Sequence, residues 1–339
     1  MRETLPRSVI AVAELIAAPR AAELLARMAG RRVVVIGDAM IDEWIWGDVS
    51  RISPEAPVPV VAVREHTFTL GGAGNVANNL RALGARVAFV GGVGDDAEGA
   101  RLRAMFDDLG VDARGLVTLT DRPTTRKTRV VAHSQQVVRA DWESTAALRD
   151  EDRARVVEHV KSAVRDADAV VLSDYAKGFL HREIVEAALA APVTVADPKP
   201  ANVSLFAGVT CIAPNVAEAA RAGGIAITDD GSLERAGRAL LRLLDCRYVL
   251  ITRGEHGMSL FGADGERFDV PAVARTVYDV SGAGDTVVAV LTLALGANIP
   301  AETATQLANF AAGAVVEKLG TATASPREIV ELMEHEHGE

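Results

Sequence analysis

Asp285 stands directly behind three small residues, Gly282, Ala283 and Gly284, in the run Asp279-Val-Ser-Gly-Ala-Gly-Asp-Thr286. Glycines let backbone N–H groups approach an anion closely, and a helix N-terminus adds unpaired donors and a favourable dipole. The apolar run Val287 to Leu295 predicts a buried helix starting here. A carboxylate beside such donors can take a proton from a hydroxyl while a phosphate is held still. The same segment also reads as a glycine-rich helix start with Asp285 as its capping residue.

Other residues have chemistry of the same kind. Gly72-Ala-Gly-Asn-Val-Ala77 matches a relaxed dinucleotide fingerprint, but it follows His66–Leu70 rather than the first strand of a βαβ unit. A loop that brings backbone to a small polar ligand is the more physical reading. Asn75 and Asn79, one helical turn apart, can add hydrogen bonds, and Asn75 equally suits a cap. Asn215 and Glu218, three apart at a strand-to-helix junction, suit Mg²⁺ or its water shell; they also spell a capping box. Lys177, in Ser-Asp-Tyr-Ala-Lys-Gly178, and Lys199, in Asp-Pro-Lys-Pro200, follow strand ends, where lysine serves either a phosphate or solvent. Arg122, Arg126, Lys127 and Arg129 form the densest basic cluster. None of the five lysines lies in a P-loop context.

These residues need elements to position them. Short β-branched runs (Val33–Ile36, Val87–Val90, Ala169–Leu172, Val193–Ala196, Val209–Ala213, Tyr248–Thr252) alternate with helical patterns (Asn75–Leu83, Glu98–Leu109, Arg153–Val164, Leu233–Leu244). Such alternation implies an α/β fold, a mainly parallel sheet with helices on both faces and ligands at the C-terminal strand ends. Two regions break the pattern, near 41–63 and 124–141. They predict a small antiparallel sheet, with proline on an exposed edge, that serves as a lid or a dimer surface carrying Trp44 and Trp46.

The 339 residues carry a net charge of −10, which argues against general nucleic-acid binding and leaves room for a small anionic ligand. Cys211 and Cys246 read as buried thiols of a reducing compartment. Val9 to Ala18 is apolar among arginines, but Glu14 and Glu23 make it an amphipathic helix rather than a signal peptide. No stretch has the length of a membrane span, and a cytoplasmic protein is expected.

Taken in order, Gly71-Gly72 with Asn75, Asn215-x-x-Glu218 and Gly282-Ala-Gly-Asp285 resemble the motifs of ribokinase-like sugar kinases, from about Arg32 to Ser325. Arg51-Ile-Ser-Pro-Glu-Ala-Pro-Val-Pro-Val60, Leu172-Ser-Asp-Tyr-Ala-Lys-Gly178, Thr252-Arg-Gly-Glu-His-Gly-Met258 and Lys318-Leu-Gly-Thr321 are most similar to the heptose-7-phosphate kinase branch. The resemblance implies ATP-dependent transfer to the anomeric hydroxyl of D-glycero-β-D-manno-heptose 7-phosphate, with Mg²⁺. It implies that Asp285 is the base, served by the N–H groups of Gly282, Ala283 and Gly284. Asp38, Asp42, Gly71, Gly72 and Asn75 would hold the sugar, and Arg126, Lys127 and Lys177 its phosphate. Lys199, Asn215, Glu218, Thr252, Gly254, Gly257 and Asn309 would serve the nucleotide, and Asp279 a monovalent cation such as K⁺. The expected organisation is a helical extension (1–30), a kinase domain (31–330) and a tail (331–339), paired as a homodimer through the lid. Relatives often carry a fused adenylyltransferase; its absence before Glu339 implies that a separate protein performs that step. Kinases of other sugars or sugar phosphates are the nearest alternative. A nicotinamide-dependent dehydrogenase would leave the Asp285 segment without a role, and a non-catalytic sugar-binding protein would have no use for Asp285.

Overall fold

Alternate residues of one short strand enter two different cores. Val33 and Val35 join the first, Val34 and Ile36 the second. A strand apolar on both faces belongs inside a sheet covered on both sides. The structure, a computed structural model, describes residues 10–12, 15–133, 135–273, 277–318 and 320–337. Its larger sheet contains Ile10–Val12 (β1), Arg32–Gly37 (β2), Arg86–Gly94 (β5), Asp112–Leu119 (β6), Ala169–Ser173 (β9), Thr194–Asp197 (β10), Cys211–Ile212 (β11), Tyr248–Thr252 (β12), Met258–Gly262 (β13) and Arg267–Val270 (β14). The order is β1-β14-β13-β12-β11-β10-β9-β2-β5-β6, parallel except where β13 pairs with β12 and β14. Helices Ala18–Met28 (α1), Ala73–Ala82 (α2), Ala97–Asp108 (α3), Ala283–Gly296 (α8), Ala301–Val316 (α9) and Pro326–His337 (α10) supply the first core. Helices Asp150–Val164 (α4), Arg182–Ala188 (α5), Val216–Gly223 (α6) and Asp230–Leu244 (α7) supply the second. Cys211 and Cys246 are both buried free thiols.

The N-terminal segment differs from expectation. Ile10–Val12 pair with Arg267–Asp269 at the edge of the main sheet, and the helix begins only at Ala18. Pro19 explains the start: proline fits the first turn of a helix and breaks its interior. Helix α1 then buries Ala21, Leu24, Leu25 and Met28 in the first core.

The second sheet is the lid. Its strands are Ala39–Ile52 (β3), Pro59–Gly72 (β4), Thr125–Ala132 (β7) and Gln135–Trp142 (β8), in the order β4-β3-β7-β8. Two antiparallel pairs, β3–β4 and β7–β8, are joined by parallel pairing of β3 with β7. Pro59 opens the edge strand β4, where its missing N–H breaks no ladder. The strands are longer than the sequence suggests, and His66–Leu70 belong to β4 itself. Asp38 alone separates β2 from β3, and β4 runs directly into α2. The lid is therefore rooted where the core strands end. Trp44 and Trp46 stack at 5.4 Å on it, and Ile52, Val63, Val138 and Trp142 are exposed there. Among the described residues, no helix is long and apolar enough to cross a membrane.

Candidate active site

Strand ends converge as the topology requires. Asp38 follows β2, Asp174 follows β9, and Asp197 and Thr252 close β10 and β12. The N-terminus of α8 meets them. Between them lies a cavity of about 150 Å³ lined by Tyr175, Asp197, Lys199, Glu218, Gly284 and Asp285, among others.

Asp285 occupies the first turn of α8 and is almost wholly buried. Its Oδ2 accepts from Asn75 Nδ2 at 2.8 Å and its Oδ1 from the Tyr175 hydroxyl at 2.7 Å. Burial pushes its pKa up to about 6, while those two hydrogen bonds pull the other way. The Tyr175 hydroxyl is itself pushed well above its ordinary value, by burial first and then by the Asp285 charge. It stays protonated as a donor. Behind Asn75, Asn79 Nδ2 donates to the Asn75 carbonyl at 2.9 Å, and Thr286 Oγ1 donates to Asn79 Oδ1 at 2.8 Å. Helices α2 and α8 are thus fastened on both sides of the carboxylate. Gly282 has φ +81°, and a Cβ there would stand 2.8 Å from Asn75 Nδ2. A Cβ at Gly284 would meet nothing within 4 Å, which leaves open space where the α8 amide groups begin.

Asn215 and Glu218 do form a capping box. Glu218 N donates to Asn215 Oδ1 at 2.9 Å, and Asn215 N donates to Glu218 Oε2 at 3.1 Å. The box does not take them from the cavity, which both line. Glu218 Oε1 also accepts from Lys199 Nζ at 2.7 Å. Burial opposes the Lys199 charge, but Asp197 and Glu218 outweigh it and raise the pKa. Asp197 is pushed up to about 7, mainly by burial. Among the described residues, no group of three or more His, Cys, Asp or Glu side chains is placed to hold a metal ion by itself.

The remaining nucleotide-side candidates are spread out. Thr252 bridges to Asn215, and Gly254 and Gly257 bracket a short turn. At Gly257 a Cβ would stand 2.0 Å from the Val270 carbonyl oxygen, so packing alone demands glycine there. Asn309, buried in α9, donates to the Pro271 carbonyl at 2.7 Å and fixes a loop. Asp279 accepts from Ser281 N at 2.9 Å and from Gly320 N at 3.0 Å, tying two loops together.

Among the candidate sugar-binding residues, Asp38 Oδ2 accepts from the backbone N–H of Tyr175 at 2.7 Å and of Lys177 at 3.2 Å. Burial still raises its pKa to about 6. A Cβ at Gly71 would stand 2.4 Å from Asp42 Oδ2; at Gly72, φ +55°, one would stand 2.8 Å from the Asp38 carbonyl. Asp42 accepts from Arg129 Nη1 at 2.5 Å. In register, Asp42 lies beside Lys127 and Trp44 beside Arg129, so Asp42, Lys127 and Arg129 share one face of the lid. Lys127 Nζ lies 3.4 Å from Glu143 Oε2, and Lys177 Nζ lies 2.7 Å from the same oxygen.

Arg126 does not join them. Strand alternation turns it to the opposite face of the lid, where it pairs with Glu98 of α3 at 2.6 Å and stacks over Trp142 at 4.0 Å. Tyr175 and Glu143 are not among the residues the sequence singles out, and Asp42 and Arg129 are singled out there but not as a pair. Tyr175 lies in the Ser-Asp-Tyr-Ala-Lys-Gly run, and the spacing of Lys127 and Arg129 by two is the sequence signal for a shared face.

A buried carboxylate thus stands at a helix N-terminus, at the strand ends of an α/β core from which a second small sheet springs. Residues 31–328 match the pfkB family carbohydrate kinases, and the chain belongs to that family. It is 48% identical over 303 residues to the bifunctional protein HldE of Desulfatibacillum aliphaticivorans, covering 88% of this chain and 62% of that protein. It is 44% identical over 322 residues to HldE of Geobacter sulfurreducens, covering 93% and 66%. The chain therefore spans a little under two thirds of the length of these curated relatives. In fold it resembles Arabidopsis thaliana ribokinase complexed with ribose and ATP (TM-score 0.71, 21% identity, 90% of this chain and 99% of that one). It also resembles Escherichia coli phosphofructokinase-2 in complex with potassium (TM-score 0.76, 19% identity, 90% and 99%). The chain is a sugar kinase, transferring phosphate to an alcohol.

Proposed function

We propose that the chain uses ATP to phosphorylate the anomeric 1-hydroxyl of D-glycero-β-D-manno-heptose 7-phosphate, giving the 1,7-bisphosphate on the way to ADP-heptose for lipopolysaccharide core. The observation that carries this reading is that Lys127 of the lid and Lys177, whose backbone N–H donates to Asp38, come together on one oxygen of Glu143. A kinase of neutral sugars has no need of two enclosed ammonium groups there. The similarity to HldE proteins supports the same substrate.

In this account Asp285 accepts the proton of the 1-hydroxyl as that oxygen attacks the γ-phosphate in line. Asn75 and Tyr175 hold both carboxylate oxygens and so fix its direction. The N–H groups at Gly282, Ala283 and Gly284 stabilise charge on the transferring phosphoryl oxygens. Lys199 faces the ATP phosphates, and Thr252, Gly254, Gly257 and Asn309 shape the nucleotide side. Asp38, Asp42, Gly71, Gly72 and Asn75 surround the sugar. Asn215 and Glu218, which border the cavity together with Asp197, would hold a Mg²⁺ ion through its water shell. Bound there, the ion would neutralise phosphate charge. Asp279 is the residue toward which a monovalent cation would bind. The exposed apolar side chains of the lid suit a homodimer, and a cytoplasmic location accords with an ATP-dependent enzyme.

The test is an ADP-release assay over a panel of sugars and sugar phosphates. Heptose 7-phosphate should be turned over with the highest kcat/KM. Faster turnover of another sugar phosphate would assign that substrate instead.

A further inference from the structure

Glu143 is the first residue after β8, where the chain leaves the lid for α4. One of its oxygens, Oε2, lies 2.7 Å from Lys177 Nζ and 3.4 Å from Lys127 Nζ. It therefore joins an ammonium group of the lid to one of the body. Both lysine side chains are only 16% exposed, and Glu143 is 26% exposed. The backbone behind the contact is fixed. Arg122 donates to the carbonyls of Lys177 and Ala146, and a Cβ at Gly178 would stand 2.3 Å from the Ala146 carbonyl oxygen. The side chain of Glu143 is thus presented to the lysines by a segment packed against the Lys177 loop.

A carboxylate oxygen between two ammonium groups does what one oxygen of a phosphate monoester would do there. We propose that Glu143 is a built-in stand-in for the distal phosphate of the substrate: it occupies Lys127 and Lys177 when that phosphate is absent and yields to it when a phosphorylated sugar binds. The proposal rests on the heptose-phosphate reading and names the residue that sets the preference for phosphorylated over neutral sugar. A neutral sugar leaves both lysines paired with Glu143 and gains no charged contact. A phosphate brings nearly two negative charges and three acceptor oxygens, and so displaces a single carboxylate oxygen. The exchange weakens phosphate binding relative to the same lysines without Glu143, and Lys177 is never left without a counter-charge; Lys127 keeps a second carboxylate, Asp141 Oδ2, at 3.4 Å.

The experiment uses the full chain with its nucleotide site filled by a non-hydrolysable ATP analogue. Inorganic phosphate is titrated calorimetrically into wild type, Glu143→Gln, and Glu143→Gln with Lys177→Met. Glu143→Gln should tighten phosphate binding about three- to tenfold, and the added Lys177→Met should abolish the gain. Glu143→Ala should act in the same direction. In turnover, Glu143→Gln should lower KM for the phosphorylated sugar and should not confer turnover of the same sugar without its phosphate. Unchanged or weaker phosphate binding in both Glu143 variants would overturn the proposal and make Glu143 a mere support for the lysines. Tighter phosphate binding without turnover of heptose 7-phosphate would uphold the stand-in and remove the heptose. Turnover of heptose 7-phosphate with unchanged phosphate binding would do the reverse.

Discussion

The Tyr175 hydroxyl donates to Asp285 Oδ1 at 2.7 Å, across 110 residues of sequence. The bond stabilises the ionised carboxylate that burial disfavours, and with the bond from Asn75 it engages both carboxylate oxygens. Ala176, held at φ +54°, turns the chain so that Tyr175 reaches the base while Lys177 reaches the lid.

The base must be ionised to work, and burial places its pKa at about 6. A raised carboxyl pKa means the active form is lost on the acid side. Turnover should therefore fall roughly tenfold per pH unit below about pH 6. Tyr175→Phe removes a bond that favours the charged form, so the acid limb should move to higher pH with KM for ATP little changed. A kcat profile flat to pH 5, or an unmoved limb in the Phe variant, would contradict this role.

Asp285→Asn keeps the size and loses the proton acceptor. General-base catalysis is worth about 10²–10⁴ in rate, so kcat should fall by that much while the variant still binds ATP in a calorimetric titration. Near-normal turnover would remove Asp285 from the mechanism.

How much of this was legible beforehand follows from the range of each signal. The Gly-Ala-Gly-Asp285 helix start and the strand–helix alternation are local patterns, and the structure has both. Val33–Ile36 shows its two-sided burial in its own composition. The Tyr175–Asp285 bond has no local signature, because a loop and a helix N-terminus far apart in sequence meet only when the sheet forms. Proximity in sequence groups Arg126 with Lys127, but adjacent residues of a strand face opposite ways. Ile10–Val12 looked helical by composition; three residues added to a sheet edge are too few to show a period of two.

Glu218 has two partners, the N-cap of its own helix and Lys199. Glu218→Gln can keep the first contact and loses the charge of the second. The Mg²⁺ concentration for half-maximal activity should rise with little loss of melting temperature. Glu218→Ala should in addition cost about 1 kcal/mol of stability in denaturant unfolding. An unchanged Mg²⁺ requirement in both variants would leave Glu218 a capping residue only.

The lid face separates its basic residues by role. Lys127→Met and Lys177→Met should each raise KM for the sugar phosphate about ten- to a hundredfold and KM for ATP little, since charge-assisted contacts contribute about 1.5–3 kcal/mol. Arg126→Met, on the far face with Glu98, should change that KM far less. A loss of ATP affinity in the Lys177 variant would assign this lysine to the nucleotide.

The central claim is transfer from ATP to the anomeric oxygen of a sugar that already carries a phosphate. Phosphorus NMR of the reaction with D-glycero-β-D-manno-heptose 7-phosphate tests it most directly. The account predicts a new signal coupled to the anomeric proton, growing one for one with ADP while the 7-phosphate signal persists, and no such product from the unphosphorylated heptose at matched concentration. Equal turnover of the neutral heptose, or phosphate appearing at any other hydroxyl, would contradict it.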